Sequence, residues 1–412
     1  MKTKLLTRNF TLLLLGQACS LLGNLTLKFA LSMYVLEVTG SAGIFATLLA
    51  VSTVPTILLS PLGGILADRL DRRILMISLD LLSGTTVLLA ALLMALCPSI
   101  PVIACLLVVL SVLSAFESPT VQACIPQMLA GDALGKGNAA VSQIQAVASL
   151  VTPFCGSLVY AALGLGPVLW ATVGCFYVTA LLECFLRLPK AHAPSTGGSL
   201  SETLREDISS SVRFLRQEEP SILKLLLLAA AASFFVSGTA VVGFPYLVRT
   251  VLGLSAQLYG AAESAMGVAA VAGSLLAGAL VSRVKLRWMA WLFLGFGLCL
   301  LPCGAAFLLP MGALGRYGVL LAMFCLCQLG CSLFSTWAIT VIQSRTPEQL
   351  MGKVMSCVFT LSMCAQPVGQ LLYGGLFDGC SHTPWLVLLP SGLAVCLLGL
   401  WSREIFQSME KS

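Results

Sequence analysis

Five ionisable side chains lie inside long apolar stretches of this chain: Lys28, Asp80, Glu117, Glu183 and Glu263. A charge in such a setting is costly, so each is a candidate for pairing, proton exchange or contact with a polar ligand. Glu117 stands about 24 Å along a helix from Pro101, two residues before Pro119, whose missing amide hydrogen frees a backbone carbonyl nearby. A partly desolvated carboxyl there suits two roles, an exchangeable proton site or a fixed counter-charge to a basic group. Lys28 lies about 13 Å inward of Glu37 and Glu263 about 12 Å inward of Ser255, which puts them at similar depth in opposite halves of the chain. Two readings stand: Lys28 and Glu263 pair across a cleft, with Asn24 one turn earlier on the same face as Lys28, or Lys28 reaches the membrane surface alone. Asp80 follows Arg73 by about 10 Å of helix, which predicts pairing with the arginines of the preceding turn. Glu183 precedes Arg187 by four residues, the spacing of a helical ion pair at the membrane surface.

Other chemistries lack their parts. His192 and His382 cannot build a metal site, and no cysteine pair has zinc-ligand spacing. No G-x-x-x-x-G-K-[ST] loop is present to cradle a nucleotide. The paired acids, Asp68 with Asp71, Glu206 with Asp207 and Glu218 with Glu219, all fall outside apolar stretches and beside basic groups. The expectation is a protein that is not an enzyme and has no cofactor, no metal and no nucleic-acid partner. Most of the 16 cysteines lie in apolar runs, where cysteine acts as a small hydrophobe. Cys97 and Cys380 fall near loops on one side, and whether they pair is left open by the sequence.

The elements that position these groups are membrane helices. Apolar residues make up 58% of the chain and charged ones 10%, against roughly 25% charged in a soluble domain, and mean hydropathy is +0.98. With about 20 apolar residues needed per crossing, 412 residues accommodate twelve. The spans expected are 10–36, 41–66, 74–96, 101–124, 137–163, 167–187, 222–248, 255–281, 288–309, 317–342, 353–377 and 384–402. Twenty of the 23 Lys and Arg residues occupy one alternating set of loops, which places that set, and both termini, in the cytoplasm. Apolar character from Phe10 to Val35 is too long for a secretory signal, so the first run is expected to remain as a span. The lipid bilayer of the plasma membrane is the expected surrounding.

Six spans precede the longest polar segment and six follow it. Three parts result: residues 1–187, a linker 188–221, and residues 222–412. Within the linker Leu200, Leu204, Ile208, Val212 and Leu215 recur at helical spacing, the stripe of a surface-lying amphipathic helix. The halves echo each other. Gly156 and Tyr160 in span 5 match Gly369 and Tyr373 in span 11, and Asp132 with Leu134 matches Glu348 with Leu350 before them. Such correspondence six spans apart is expected of a duplicated six-helix unit.

Between spans 2 and 3 stand Gly64, Asp68, Arg69, Asp71, Arg72 and Arg73. This run resembles the G-x-x-x-D-[RK]-x-G-R-[RK] signature of the major facilitator superfamily, with Asp71 where a second glycine is usual. The resemblance implies an all-α membrane protein, twelve transmembrane helices in two pseudo-symmetric six-helix bundles. It also implies that the run is a cytoplasmic latch whose aspartate lies near the start of span 11 and holds the outward-open state, with Asp80 in support. The equivalent turn of the second half, Ser282, Arg283, Lys285 and Arg287, lacks the acid. Arg8-Asn9-Phe10, Gly16-Gln17 with Ser20, Thr39-Gly40-Ser41, Asp80, and Phe116, Pro119, Gln122, Ile125 and Pro126 are similar to the drug-exporter branch of macrolide-efflux type. Two departures are Thr152-Pro153 with Gly156, a fragment of that group's antiporter motif, and the absence of an arginine from span 4.

From the resemblance, spans 1, 4, 7 and 10 line a central cavity. Asn24, Lys28, Glu117 and Glu263 are then coupling or cavity residues, and Phe234, Phe235, Gln328 and Trp337 the candidate lining for a bulky amphiphile. The expected function is export of a hydrophobic or amphiphilic small molecule by alternating access, with protons as coupling ion, by a monomer. Uptake or lipid translocation in the same superfamily is an alternative. A non-transporting membrane scaffold is another, and it would not require Glu117 or Glu263.

Overall fold

In a lipid interior every backbone amide and carbonyl must be satisfied within the chain, so continuous apolar runs fold as helices. The computed structural model describes residues 7–129, 132–187, 220–280, 288–346 and 351–411, and these hold twelve helices and no strand. They are α1 (Arg8–Thr39), α2 (Ala42–Arg69), α3 (Arg72–Leu96), α4 (Ile100–Met128), α5 (Asp132–Leu163) and α6 (Leu165–Cys184). The second set begins with α7 (Pro220–Val236), which continues through π-helical turns to Val251, and follows with α8 (Ala256–Leu280), α9 (Met289–Leu308), α10 (Ala313–Arg345), α11 (Met351–Gly379) and α12 (Trp385–Lys411). Eleven of them have stretches long and apolar enough to cross a bilayer. Leucines such as Leu58, Leu96, Leu275, Leu314 and Leu397 point outward, the surface a hydrocarbon solvent accepts.

Helix ends differ from the sequence reading where capping decides them. α6 stops at Cys184 rather than 187, so Glu183 and Arg187 do not share a helix face and their expected ion pair is absent. Asn9 holds Arg187 instead: its side-chain amide donates to the Arg187 carbonyl at 2.7 Å and accepts from the Arg187 amide at 3.3 Å. The turn between α2 and α3 shrinks to Leu70 and Asp71, because α2 carries the motif residues through Arg69. The linker expected to hold an amphipathic helix lies outside the described residues apart from Pro220 and Ser221, which open α7.

Contacts divide the chain into two compact units. One comprises Met1–Val38, Val51–Ser195 and Ser255–Ser264; the other comprises Thr39–Ala50, Thr196–Leu254 and Ala265–Ser412. Two helices are therefore shared: α2 begins in the second unit and ends in the first, and α8 does the reverse.

In the first unit α3 packs along α6, with Gly84 against Phe176 and Tyr177. Thr172 and Thr179 of α6 donate to the Gly23 and Gly16 carbonyls of α1 at 3.3 and 3.2 Å, using small residues for close approach. In the second unit α9 packs along α12, and an aromatic core of Phe293, Phe296 and Phe334 forms around it.

The duplication seen in the sequence is visible in these close approaches. Gly63 of α2 lies against the Ala115 carbonyl of α4, and Gly273 of α8 lies against the Leu329 carbonyl of α10. Gly156 of α5 packs on Thr26 and Phe29 of α1, while its counterpart Gly369 of α11 packs on the Phe234 backbone of α7. Gly156 and Gly369, equivalent in the sequence, thus serve equivalent helix pairs. The π-helical turns, Ser237–Gly243 and Leu247–Val251, had no signal in the hydropathy pattern. They set Gly238 against the ring of Tyr373 and Gly243 against that of Phe377, fitting α7 to α11.

Candidate functional site: a charged track in the first unit

The turn after α2 is built by capping. Asp71 adopts an extended backbone and its carboxylate accepts from the Arg73 and Ile74 amides at 3.0 and 3.4 Å. This satisfies donors that a helix start leaves open, and it explains an aspartate where the superfamily signature has glycine. Arg72 reaches the Ala123 carbonyl near the end of α4 at 2.7 Å, and Arg73 reaches the Cys184 carbonyl that ends α6. Cations at two helix C-termini are favourable, and they tie the start of α3 to its neighbours. The side chains of Asp68 and Arg69, and the surroundings of Gly64, lie outside the described residues.

Two turns into α3, Asp80 is 1% exposed and faces Glu183 of α6, itself 2% exposed. The two carboxyls are within hydrogen-bonding reach of each other. Neither oxygen of Asp80 receives a bond from any other donor, and neither does Oε2 of Glu183. The sequence reading paired Asp80 with the arginines of the turn. The structure places it beside an acid, while Arg72 and Arg73 reach helix-end carbonyls. Carboxyls at such range in a dry interior can share one proton.

Further along lies Glu117. Ser20 of α1 donates to its Oε1 at 3.4 Å, and Lys28 supplies the opposite charge. Glu117 also interacts through its charge with Asp80 and Glu183. The charges of Lys28, Asp80 and Glu183 thus all act on Glu117. Pro119 cannot bond back to Ala115, and the carbonyl so released is the one Gly63 packs on.

The charge of Lys28 acts on Glu117, while Glu263 has a partner of its own. Glu263 hydrogen-bonds Tyr259, whose ring stacks on Phe29 at 5.4 Å, and its Oε2 is buried with no partner. Asn24 sits between Ser20 and Lys28 on one face of α1, its Oδ1 likewise buried and unbonded. Sequence reasoning missed Ser20 and Tyr259 as members of the site. The spacing of Ser20, Asn24 and Lys28, four residues apart on an apolar helix, was a usable signal for the first.

The candidate lining residues separate. Trp337 is 7% exposed in the core of the second unit and donates its ring N–H to the Ala277 carbonyl at 3.2 Å. Phe234 and Phe235 meet edge to face at 5.2 Å, and both pack on Tyr373. Phe235 also lines a small apolar crevice with Val236, Thr239, Phe296 and Cys327. Gln328 is half-buried on α10. Cys97 and Cys380 are free thiols.

Residues 13–370 match the family profile described as Major Facilitator Superfamily. Macrolide efflux protein A of Streptococcus pyogenes is 23% identical over 390 residues, covering 93% of this chain and 92% of that protein. The multidrug efflux pump Tap of Mycolicibacterium fortuitum is 27% identical over 395 residues, covering 92% and 91%. Among solved structures, the nucleoside transporter NupG aligns with a TM-score of 0.75 at 12% identity over 95% of this chain and 98% of that one. A bacterial homologue of the iron transporter ferroportin, in an inward-facing state, aligns at 0.71 and 17% identity over 98% and 99%.

Proposed function

Because the chain belongs to the major facilitator superfamily, it is a multi-pass membrane transporter and not an enzyme, and we propose that it exports a hydrophobic or amphiphilic, drug-like molecule by alternating access in exchange for protons. Relatives named as efflux proteins match over more than nine-tenths of its length, which supports the direction.

The coupling reading rests on one observation, the half-buried Glu117 carboxylate that accepts from Ser20 in an apolar helix bundle and feels the charge of Lys28. Ionised, Glu117 cancels the charge of Lys28. A proton arriving at Glu117 leaves Lys28 as a bare cation, which changes the field and hydration along the track. Substrate and proton then favour different charge states of one site, and differential affinity of this kind is what couples two ligands. The Asp80–Glu183 pair, nearer the turn, is the relay for that proton. Phe235 and Gln328 supply apolar and amide contacts for the substrate.

In this reading the bundles are residues 1–187 and 222–412, joined by the linker 188–221, with both termini in the cytoplasm and the monomer as the working unit. The test is dye or drug accumulation in everted vesicles, with and without an imposed proton gradient, for the parent protein and Glu117→Gln. Gradient-driven accumulation that Glu117→Gln abolishes is expected. Accumulation indifferent to the gradient removes proton antiport, and accumulation confined to right-side-out vesicles reverses the direction.

A further inference from the structure

At the start of α2, opposite the charged turn, three donors converge on one carboxylate from α11. Ser41 Oγ donates to Asp378 Oδ2 at 2.5 Å, the Ala42 amide to Oδ1 at 2.7 Å and the Gly43 amide to Oδ2 at 3.0 Å. Ser41 Oγ in turn accepts from the Ile44 amide at 3.1 Å, so two residues share the capping of this helix. The cap is supplied from a segment more than 330 positions away in the chain, where a local side chain would ordinarily serve. Backbones meet here as well: a Cβ on Gly374 would strike Ala46 and the Ala42 carbonyl, and one on Gly43 would strike Asp378. Phe377, beside Asp378, rests on Tyr246 at 5.9 Å, which anchors this end of α11 to α7. Asp378 is exposed, so water can replace the three donors when the helices separate.

We propose that Asp378 is a releasable latch, the reciprocal of the one at the charged turn. α2 and α11 each end in an aspartate, Asp68 in the last turn of α2 and Asp378 in the last turn of α11. Asp378 caps the start of α2 in this structure. The motif resemblance assigns Asp68 to the start of α11. One pair of helices thereby carries an acid-to-amide clasp at either end, and an alternating-access cycle closes one while opening the other. The inference rests on the alternating-access reading but not on the substrate, the ion or the direction of transport.

Hydrogen–deuterium exchange of the purified full-length protein in nanodiscs tests it without any transport measurement. Asp378→Ala should speed exchange in peptides covering 39–50 and 374–379 by about fivefold or more, the consequence of losing a helix cap. It should also slow exchange at the turn 68–74 and the start of α11, because the population moves toward the other clasp. Asp68→Asn should give the opposite pattern, and Asp378→Glu, which keeps the charge, should restore most of the parental protection. Faster exchange at both ends would reduce Asp378 to a structural cap and overturn the latch, as would unchanged exchange in 39–50. If vesicle assays fail to show proton coupling while the reciprocal pattern holds, the latch stands and the coupling reading falls.

Discussion

Gly63 of α2 lies against the carbonyl of Ala115 in α4, the acceptor that Pro119 leaves without its helical donor. A glycine Cα can approach an unbonded carbonyl closely, and a larger residue would force the helices apart. Gly273 lies as close to the Leu329 carbonyl in the second half, although there Leu333 still supplies the helical donor. Gly63→Ala and Gly273→Ala should each destabilise by about 1–3 kcal/mol, the usual cost of overpacking. Gly295→Ala, with open space around it, should be neutral. Thermal unfolding in detergent separates the three, and a Gly63→Ala protein as stable as the parent would show that α2 and α4 do not touch there.

The cap at Asp71 has a graded consequence. Asp71→Ala should cost about 1 kcal/mol, whereas Asp71→Gly should cost only a few tenths, since glycine is tolerated at a cap that alanine is not. Melting temperatures of the two variants provide the check. Equal losses would mean that the two amide bonds to Asp71 contribute little.

For Asp80 and Glu183, an amide can still bond the remaining carboxyl. Asp80→Asn is expected to fold with nearly parental stability. Asp80→Ala is expected to lose about 1–3 kcal/mol, because Glu183 is left buried and unsatisfied. Chemical denaturation of both proteins measures the difference, and a harmless Asp80→Ala would dissolve the pair.

Lys28 and Glu117 should be strongly non-additive. Lys28→Gln alone leaves the half-buried Glu117 carboxylate without its counter-charge, and Glu117→Gln alone leaves the Lys28 cation without one, so each single change should lower stability more than the double change does. A double-mutant cycle on unfolding reads the coupling directly. Additive effects would separate the two residues. The exchange Lys28→Glu with Glu117→Lys gives an independent answer, since it restores opposite charges with the positions reversed.

Much of this architecture was legible because a bilayer permits few solutions. Twelve apolar runs, basic loops and a repeat centred on Gly156 and Gly369 were enough to place the helices to within a few residues, with the start of α5 and the end of α12 the clearest exceptions. The partners of the buried charges were not legible. Asp80 was assigned to arginines seven residues away because helical distance was the only measure to hand. Its actual neighbour, Glu183, lies about one hundred residues on and meets it only through α3–α6 packing. Lys28 was matched to Glu263 by depth alone, and depth carries no information about which faces of two helices meet. Asp378 drew no notice in the sequence, since an acid in the last turn of a span usually faces water. Only the fold brings the amides of Ala42 and Gly43 to it.

The division of α2 between two units has a mechanical meaning. Residues up to Ala50 belong with one unit and those from Val51 with the other, although the helix runs unbroken through both. Pro55 has no amide hydrogen to return to the Val51 carbonyl, so the helical ladder lacks a rung at the border itself. Bending stiffness is lowest where the rung is absent, so the first and last parts of α2 can bend against each other at Pro55 without breaking the helix.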